Sequence, residues 1–146
     1  MTESKYIWMD GEFVNWHDAK VHVLSHTLHY GNGAIEGTKA YKTVDGRCAI
    51  FKLNEHTKRL LNSSKMTLMN VPFTLEELNK AQIELLQKNE LFDGAYIRPL
   101  VYLGYGVMGL YHKDAPVKVS VSAWEWGAYL GEEGLKKGVR VKISSM

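Results

Sequence analysis

Cysteine is almost missing from this chain. Cys48 is the only one among 146 residues, so no internal disulfide can form, and a reducing, cytoplasmic setting fits. An excess of one charge is missing too. Eighteen basic against 16 acidic residues leave +2, too little to point to nucleic acid or an anionic membrane as the main partner. No apolar run follows a basic start, so no signal peptide is expected. The most apolar long segment, 95–111, is broken by Arg98, Pro99, Gly104 and Gly106, which excludes it as a membrane span. Repeats and low-complexity tracts are absent. G-x-S-x-G, H-E-x-x-H and C-x-x-C are absent as well, so no ready nucleophile system or zinc helix stands out. GNGAIEG, residues 31–37, lacks both the spacing of a dinucleotide loop and the lysine of a phosphate loop.

What is present is an ordinary globular composition, 45% apolar and 23% charged, in a length that suits one domain with a real core. Eight Tyr and four Trp supply side chains with an apolar body and a polar tip, suited to a pocket or an interface as well as to a core. Asp10-Gly11 between Tyr6–Met9 and Glu12–Val14 predicts a hairpin. A His-rich loop follows. Ala34–Thr43 reads as a strand, Asp45-Gly46 as a turn and Cys48–Phe51 as the returning strand. Asn54 is the expected cap of a helix carrying Leu53, Leu60, Leu61, Ser64 and Leu68. Thr74 and Glu77 form a capping box, with Phe73 and Leu78 placed for a staple, on a helix running to about Asn89. Tyr96–Leu103 and Val117–Ala123 read as strands, Glu132–Lys137 as a short helix ended by Gly138, and Val139–Ile143 as the start of another strand. Strands, two helices and strands again predict an α+β fold with a mostly antiparallel sheet and two packed helices.

Three stretches carry chemistry. In the strand from Ala34, alternation puts Ile35, Gly37, Lys39 and Tyr41 on one face and Ala34, Glu36, Thr38 and Ala40 on the other. Glycine inside a strand marks either a bulge or a close approach by a ligand or another backbone. In AYIRPL, Tyr96, Arg98 and Leu100 share a face. Burying Arg98 requires a partner, either an internal one such as Glu36 or Glu125, or a ligand carboxylate that suits a planar guanidinium. Pro99 cannot donate to a ladder, so this strand is expected to be an edge there or bulged. In AWEWGAYLG, Trp124 and Trp126 share a face, and Gly127 permits a turn that returns Tyr129; these side chains wall a pocket or pack a core. Arg59, alone on its helix, reads as solvated surface. His22, His26 and His29 have the spacing of one helical face, which admits a zinc site, but the β-branched and Gly-rich surroundings favour ordinary hydrogen-bonded histidines. Together these residues suggest a small amphiphilic acid as ligand without naming a reaction.

YIWMDGEFV, KVHVLSHTLHYGNGAIEGTKAY, NEHTKRL, AYIRPLVYLG and WEWGAYLG, in that order along nearly the whole chain, resemble the N-terminal domain of branched-chain amino acid aminotransferases, fold-type IV pyridoxal-phosphate enzymes. The resemblance implies that Arg59 binds the cofactor phosphate, against its reading as plain surface. It implies that Tyr30 projects toward a neighbouring subunit's pocket, that Gly37 faces substrate, and that Tyr96 and Arg98 hold substrate carboxylates. Trp126 and Tyr129 wall the aliphatic pocket, and Ile35 and Lys39 line it. Ile35 stands where many relatives carry an aromatic, and Lys39 where some carry arginine. No catalytic residue falls in this chain. The family's cofactor-bearing lysine belongs to a C-terminal cofactor domain, so residues 1–146 are expected to be the small N-terminal domain of a longer, homodimeric or larger enzyme, inactive alone. The full enzyme would use pyridoxal 5'-phosphate and exchange amino groups between leucine, isoleucine or valine and 2-oxoglutarate. Alternatives are a D-amino acid aminotransferase, an aminodeoxychorismate lyase, or a stand-alone small-acid-binding domain.

Overall fold

Asp10 and Gly11 turn the chain with φ of 50° and 106°, the positive values a two-residue hairpin turn asks for. They join β1 (Tyr6–Met9) to β2 (Glu12–Asn15). Asp10 also stitches this hairpin to the sheet: its backbone N–H donates to the Val119 carbonyl at 2.9 Å, and its Oδ1 accepts from the Val119 N–H at 2.8 Å. The structure is a computed structural model that describes residues 2–127 and 131–144. The His-rich segment expected as loop contains a short helix, α1 (His26–Tyr30). After it come β3 (Gly33–Ile35), β4 (Thr38–Lys42) and β5 (Cys48–Ile50), then the long helices α2 (Leu53–Met66) and α3 (Leu75–Asn89), the long strands β6 (Ala95–Leu103) and β7 (Val117–Glu125), and α4 (Gly131–Lys137). Every pairing is antiparallel, in the order β2-β1-β7-β6-β4-β5, with β3 beside β6 in line with β4. This is the expected α+β architecture.

One face of the sheet is covered. Ile97, Val101 and Leu103 of β6 and Val119, Val121 and Ala123 of β7 are buried, together with Leu60 of α2 and Leu78, Leu85 and Leu86 of α3. The capping box of α3 is present: Thr74 Oγ1 accepts from Glu77 N, and Glu77 Oε2 accepts from Thr74 N. Phe73, just before it, meets Trp8 edge-on at 5.0 Å. Asn89 closes the same helix against β1. Its Oδ1 accepts from Lys5 N and Tyr6 N, and its Nδ2 donates to the carbonyls of Tyr6 and Leu85.

Three expectations need correction. Asn54 is not the cap of α2; Lys52 is, in a left-handed conformation with no side-chain capping bond, and Asn54 lies inside the helix, accepting from Asn79 Nδ2. Leu68 is not on the buried face. The helix stops at Met66, Leu68 turns with φ 59°, and Met69 is buried in its place. Residues 139–143 form no strand: Val141 and Ile143 are exposed, and no strand among the described residues pairs with them. A β-branched alternation without a partner edge leaves its backbone groups to water.

Candidate functional site

The predicted Ala34–Thr43 strand is two strands on one line. Gly33 faces Tyr102, Ala34 faces Val101 and Ile35 faces Leu100; after a gap, Thr38 faces Ile97 and Lys39 faces Tyr96. The register is continuous across the gap, so no residue is inserted and there is no bulge. Glu36 sits opposite Pro99 and donates its N–H to the Pro99 carbonyl at 3.1 Å. An ordinary partner would return a second bond, but proline has no N–H. The ladder therefore breaks at Glu36-Gly37, and Pro99 lies in a central strand, not at an edge.

Because the register holds, so does the alternation. Ala34, Glu36, Thr38 and Ala40 are buried on the helix side, while Ile35, Lys39 and Tyr41 emerge on the other. Cross-strand pairs extend that open face: Lys39 with Tyr96, Tyr96 with Trp124, and Arg98 with Ser122. The sheet thus gathers Ile35, Gly37, Lys39, Tyr96, Arg98 and Trp126 on one side.

Gly37 is the thin point of this face, and the group lying on it is Tyr96. A Cβ at Gly37 would lie 2.8 Å from Tyr96 Cζ and closer still to the hydroxyl. The Tyr96 ring is also held edge-on by Trp126 at 4.7 Å and tilted against Trp124 at 5.2 Å. Its hydroxyl accepts from Arg98 Nη2 at 2.8 Å and Nε at 3.2 Å. Arg98 makes no ion pair among the described residues. The internal partners considered for it, Glu36 and Glu125, both belong to the helix-side alternation, so they cannot meet it. A cavity of about 290 Å³ opens here, lined by Lys39, Tyr96, Arg98, Trp126 and Gly127. It offers two cations and an aromatic wall, and it suits a small acid with an apolar part.

Tyr30 and Arg59 stand apart from this cavity. Tyr30, on α1, is partly exposed and accepts from the Gly109 N–H at 3.0 Å, its ring 4.4 Å from that of His26. Tyr129 lies outside the described residues. Arg59, on α2, lies on the helix side and pairs side-on with Glu36: its Nε donates to Oε1 and its Nη2 to Oε2 at 2.8 Å. His56 Nδ1 lies 2.8 Å from Glu36 Oε2. Burial pushes the Glu36 carboxyl upward, but hydrogen bonds from Arg59 and His56, the Arg59 charge and the Gly37 N–H outweigh it and hold the group below the usual carboxylate range. The same pairing pushes the Arg59 guanidinium up. Residue-level reading missed Glu36 and His56 as functional groups. The signal was the i, i+3 spacing of His56 and Arg59 on α2 opposite an acid on the buried side of a strand.

His22, His26 and His29 do not share a helix face. His22 stacks on Tyr105 at 4.1 Å, His26 Nε2 meets the Gly109 carbonyl at 2.7 Å, and His29 Nε2 meets the Val23 carbonyl at 2.9 Å. Among the described residues no group of three His, Cys, Asp or Glu is placed to hold a metal, and no helix is long and apolar enough to cross a membrane. A larger cavity of about 430 Å³ lies between β5, α2 and α3, lined mainly by Ile50, Leu53, Ile83, Leu86 and Phe92 with Cys48. Burial, with the charge of Asp93, raises the Cys48 thiol. A thiol so held is a poor nucleophile, and this cavity lacks the paired cations of the smaller one.

Comparison with known proteins places the chain in a family. The branched-chain-amino-acid aminotransferase of Pseudomonas aeruginosa is 48% identical over 139 residues, 95% of this chain and 45% of its own length. That of Salmonella typhimurium is 43% identical over 148 residues, 99% of this chain and 47% of its own. The crystal structure of the Escherichia coli branched-chain amino acid aminotransferase superposes with a TM-score of 0.86 at 41% identity, covering 93% of this chain and 44% of that one. The T.th. branched-chain amino acid aminotransferase with pyridoxamine 5'-phosphate gives 0.83 at 46% identity, covering 91% and 43%. The chain therefore spans about half the length of the relatives it matches. The family description Amino-transferase class IV fits residues 33–146, the stretch that builds both the open-face cavity and the Glu36–Arg59 pair, and the chain belongs to that family.

Proposed function

We propose that the whole protein is a pyridoxal-phosphate-dependent transaminase that moves amino groups from leucine, isoleucine or valine to 2-oxoglutarate, and that residues 1–146 are its small N-terminal domain. The observation that carries this reading is the open-face cavity, where two cations with no ion pair among the described residues, Lys39 and Arg98, stand beside the Tyr96–Trp126 aromatic wall. An enzyme with this pair of substrates must take an aliphatic and a carboxylate side chain in one place. The aromatic rings exclude water and contact the aliphatic group, while Arg98, already oriented by Tyr96, receives the carboxylate.

The residues present fit the phosphate end of the cofactor. Arg59 keeps an exposed, firmly protonated guanidinium although one edge of it is tied to Glu36. Pyridoxal phosphate, when bound, supplies the electron sink that makes the substrate's α-proton removable. The lysine that carries the cofactor is assigned to polypeptide beyond residue 146, so this chain alone is inactive, and none of its own lysines takes that role. Exposed Val23, Leu28, Tyr105, Leu110 and Tyr111, on two segments joined by the His22–Tyr105 stack, form an apolar surface suited to a second copy of the protein, which supports a homodimer with Tyr30 at its interface. With Cys48 the one thiol, a cytoplasmic setting is part of the same reading.

A substrate panel on the full-length protein tests it. Turnover of L-leucine, L-isoleucine or L-valine with 2-oxoglutarate is expected. Turnover of D-alanine with none of leucine would overturn the proposal in favour of the D-amino acid reaction.

A further inference from the structure

Glu36 is a buried carboxylate, 6% exposed, inside a sheet whose other helix-side residues at that point are Ala34, Thr38 and Ala40. A buried charge is kept only where it is paired, and here, beside the Gly37 N–H at 3.4 Å, both side-chain partners lie on α2. Arg59 meets it side-on through Nε and Nη2, and His56, one turn earlier on the same helix, braces Oε2. The Arg59 side chain itself is 66% exposed, so this pairing is what holds a long side chain still. A guanidinium has five N–H donors in one plane. Side-on pairing uses Nε–H and one N–H of Nη2. Nη2 also lies 3.4 Å from His56 Nδ1, while Nη1 has no partner among the described residues, so the end-on edge of the guanidinium faces away from Glu36 with Nη1 free to receive a phosphate oxygen.

We infer that Glu36 and His56 are positioning residues: they fix the end-on fork of Arg59 for a phosphate monoester, an inference that rests on Arg59 as the phosphate anchor. The alternative has the opposite sign. If Glu36 merely competes for Arg59, removing its negative charge strengthens phosphate binding. If Glu36 positions the fork, removing it weakens binding, because the ligand must then immobilise the side chain itself. Ordering one long side chain corresponds to a loss of about threefold to tenfold in affinity.

The test is equilibrium dialysis of the full-length protein with pyridoxal 5'-phosphate and, separately, with pyridoxal, which lacks the phosphate. Arg59→Gln should abolish most of the preference for the phosphorylated form. Glu36→Gln should weaken pyridoxal 5'-phosphate by about threefold to tenfold and leave pyridoxal unchanged, and His56→Gln should move it the same way by less. In the Arg59→Gln background, Glu36→Gln should add nothing, because its effect runs through the arginine. Should Glu36→Gln not fold, the Arg59 15Nε resonance of the unmodified protein decides: a slowly exchanging Nε–H agrees with a fixed fork, and an averaged one overturns it. Unchanged or tighter phosphate-dependent binding in Glu36→Gln, or an equal loss with pyridoxal, overturns the positioning role alone. An unchanged preference in Arg59→Gln overturns the anchor and the inference together.

Discussion

Gly37→Ala is a test in which backbone and side-chain arguments give opposite signs. Gly37 is not among the residues with positive φ, so alanine is sterically allowed by the backbone. On chain entropy alone the change should stabilise the protein by about 0.4–1 kcal/mol. The new methyl, however, would sit 2.8 Å from Tyr96 Cζ and nearer the hydroxyl. The ring cannot tip freely, since Trp124 and Trp126 flank it. Forcing it aside carries an overpacking cost of about 1–3 kcal/mol, and moving the hydroxyl loses its bonds from Arg98, worth about 1 kcal/mol at a partly exposed site. Net destabilisation of about 1–3 kcal/mol is expected, read as a lower urea midpoint at constant slope. In a Tyr96→Ala background the obstacle is gone, and Gly37→Ala should then be neutral or stabilising. A Gly37→Ala protein as stable as the parent, or an equal loss in both backgrounds, would refute the claim that Tyr96 is what requires glycine here.

Other outcomes follow from the same geometry. Glu36 has a folded-state pKa below its ordinary value of 4.5, so its stabilisation is complete above that pH and is lost as pH falls through the lowered value; Glu36→Gln should flatten the acid limb of a stability-versus-pH curve, and an unchanged limb would contradict the pairing. Asn89→Ala removes four hydrogen bonds, three of which hold the start of β1 to α3, and should cost about 3 kcal/mol, with faster hydrogen exchange at Lys5 and Tyr6 amides as its local signature. Thr74→Ala removes the capping box of α3 and should lower stability by about 1 kcal/mol, measurable by thermal melting.

Much of the fold is legible in the sequence because its signals are local. Asp10-Gly11 fixes a hairpin through backbone sterics, Thr74 and Glu77 satisfy orphan amides within one turn, and β6 and β7 alternate by burial. The errors share a cause: each turns on a neighbour distant in sequence or on a left-handed residue that breaks phase. Leu68 has helical spacing but follows a chain reversal. The 139–143 alternation lacks an edge to join. Pro99 reads as an edge or a bulge because a proline in a central strand looks excluded; the sheet tolerates it by giving up one bond opposite Glu36. The candidate site is legible to the extent that alternation decides it. Ile35, Gly37, Lys39, Tyr96 and Arg98 fall on one face by counting alone, but that Tyr96 lies on Gly37, and that Glu36 meets Arg59 instead of Arg98, depends on which strands adjoin.

That single break in the ladder links the two halves of the site. Adjacent strand residues point to opposite faces, so Glu36 and Gly37 send their consequences in opposite directions from one interruption. Glu36 reaches through the helix layer to Arg59, while Gly37 leaves room on the open face for the ring that orients Arg98. Shifting the register by one residue would exchange these roles, placing the carboxylate on the face of Arg98 and both Gly37 and Lys39 beneath α2. The carboxylate would then neutralise Arg98, the open face would lose Lys39, and Arg59 would lose the one acid it pairs with among the described residues. The continuous pairing of β3 and β4 with β6, kept in step even where proline withholds a bond, is therefore what keeps the phosphate-side arginine and the substrate-side arginine from competing for the same acid.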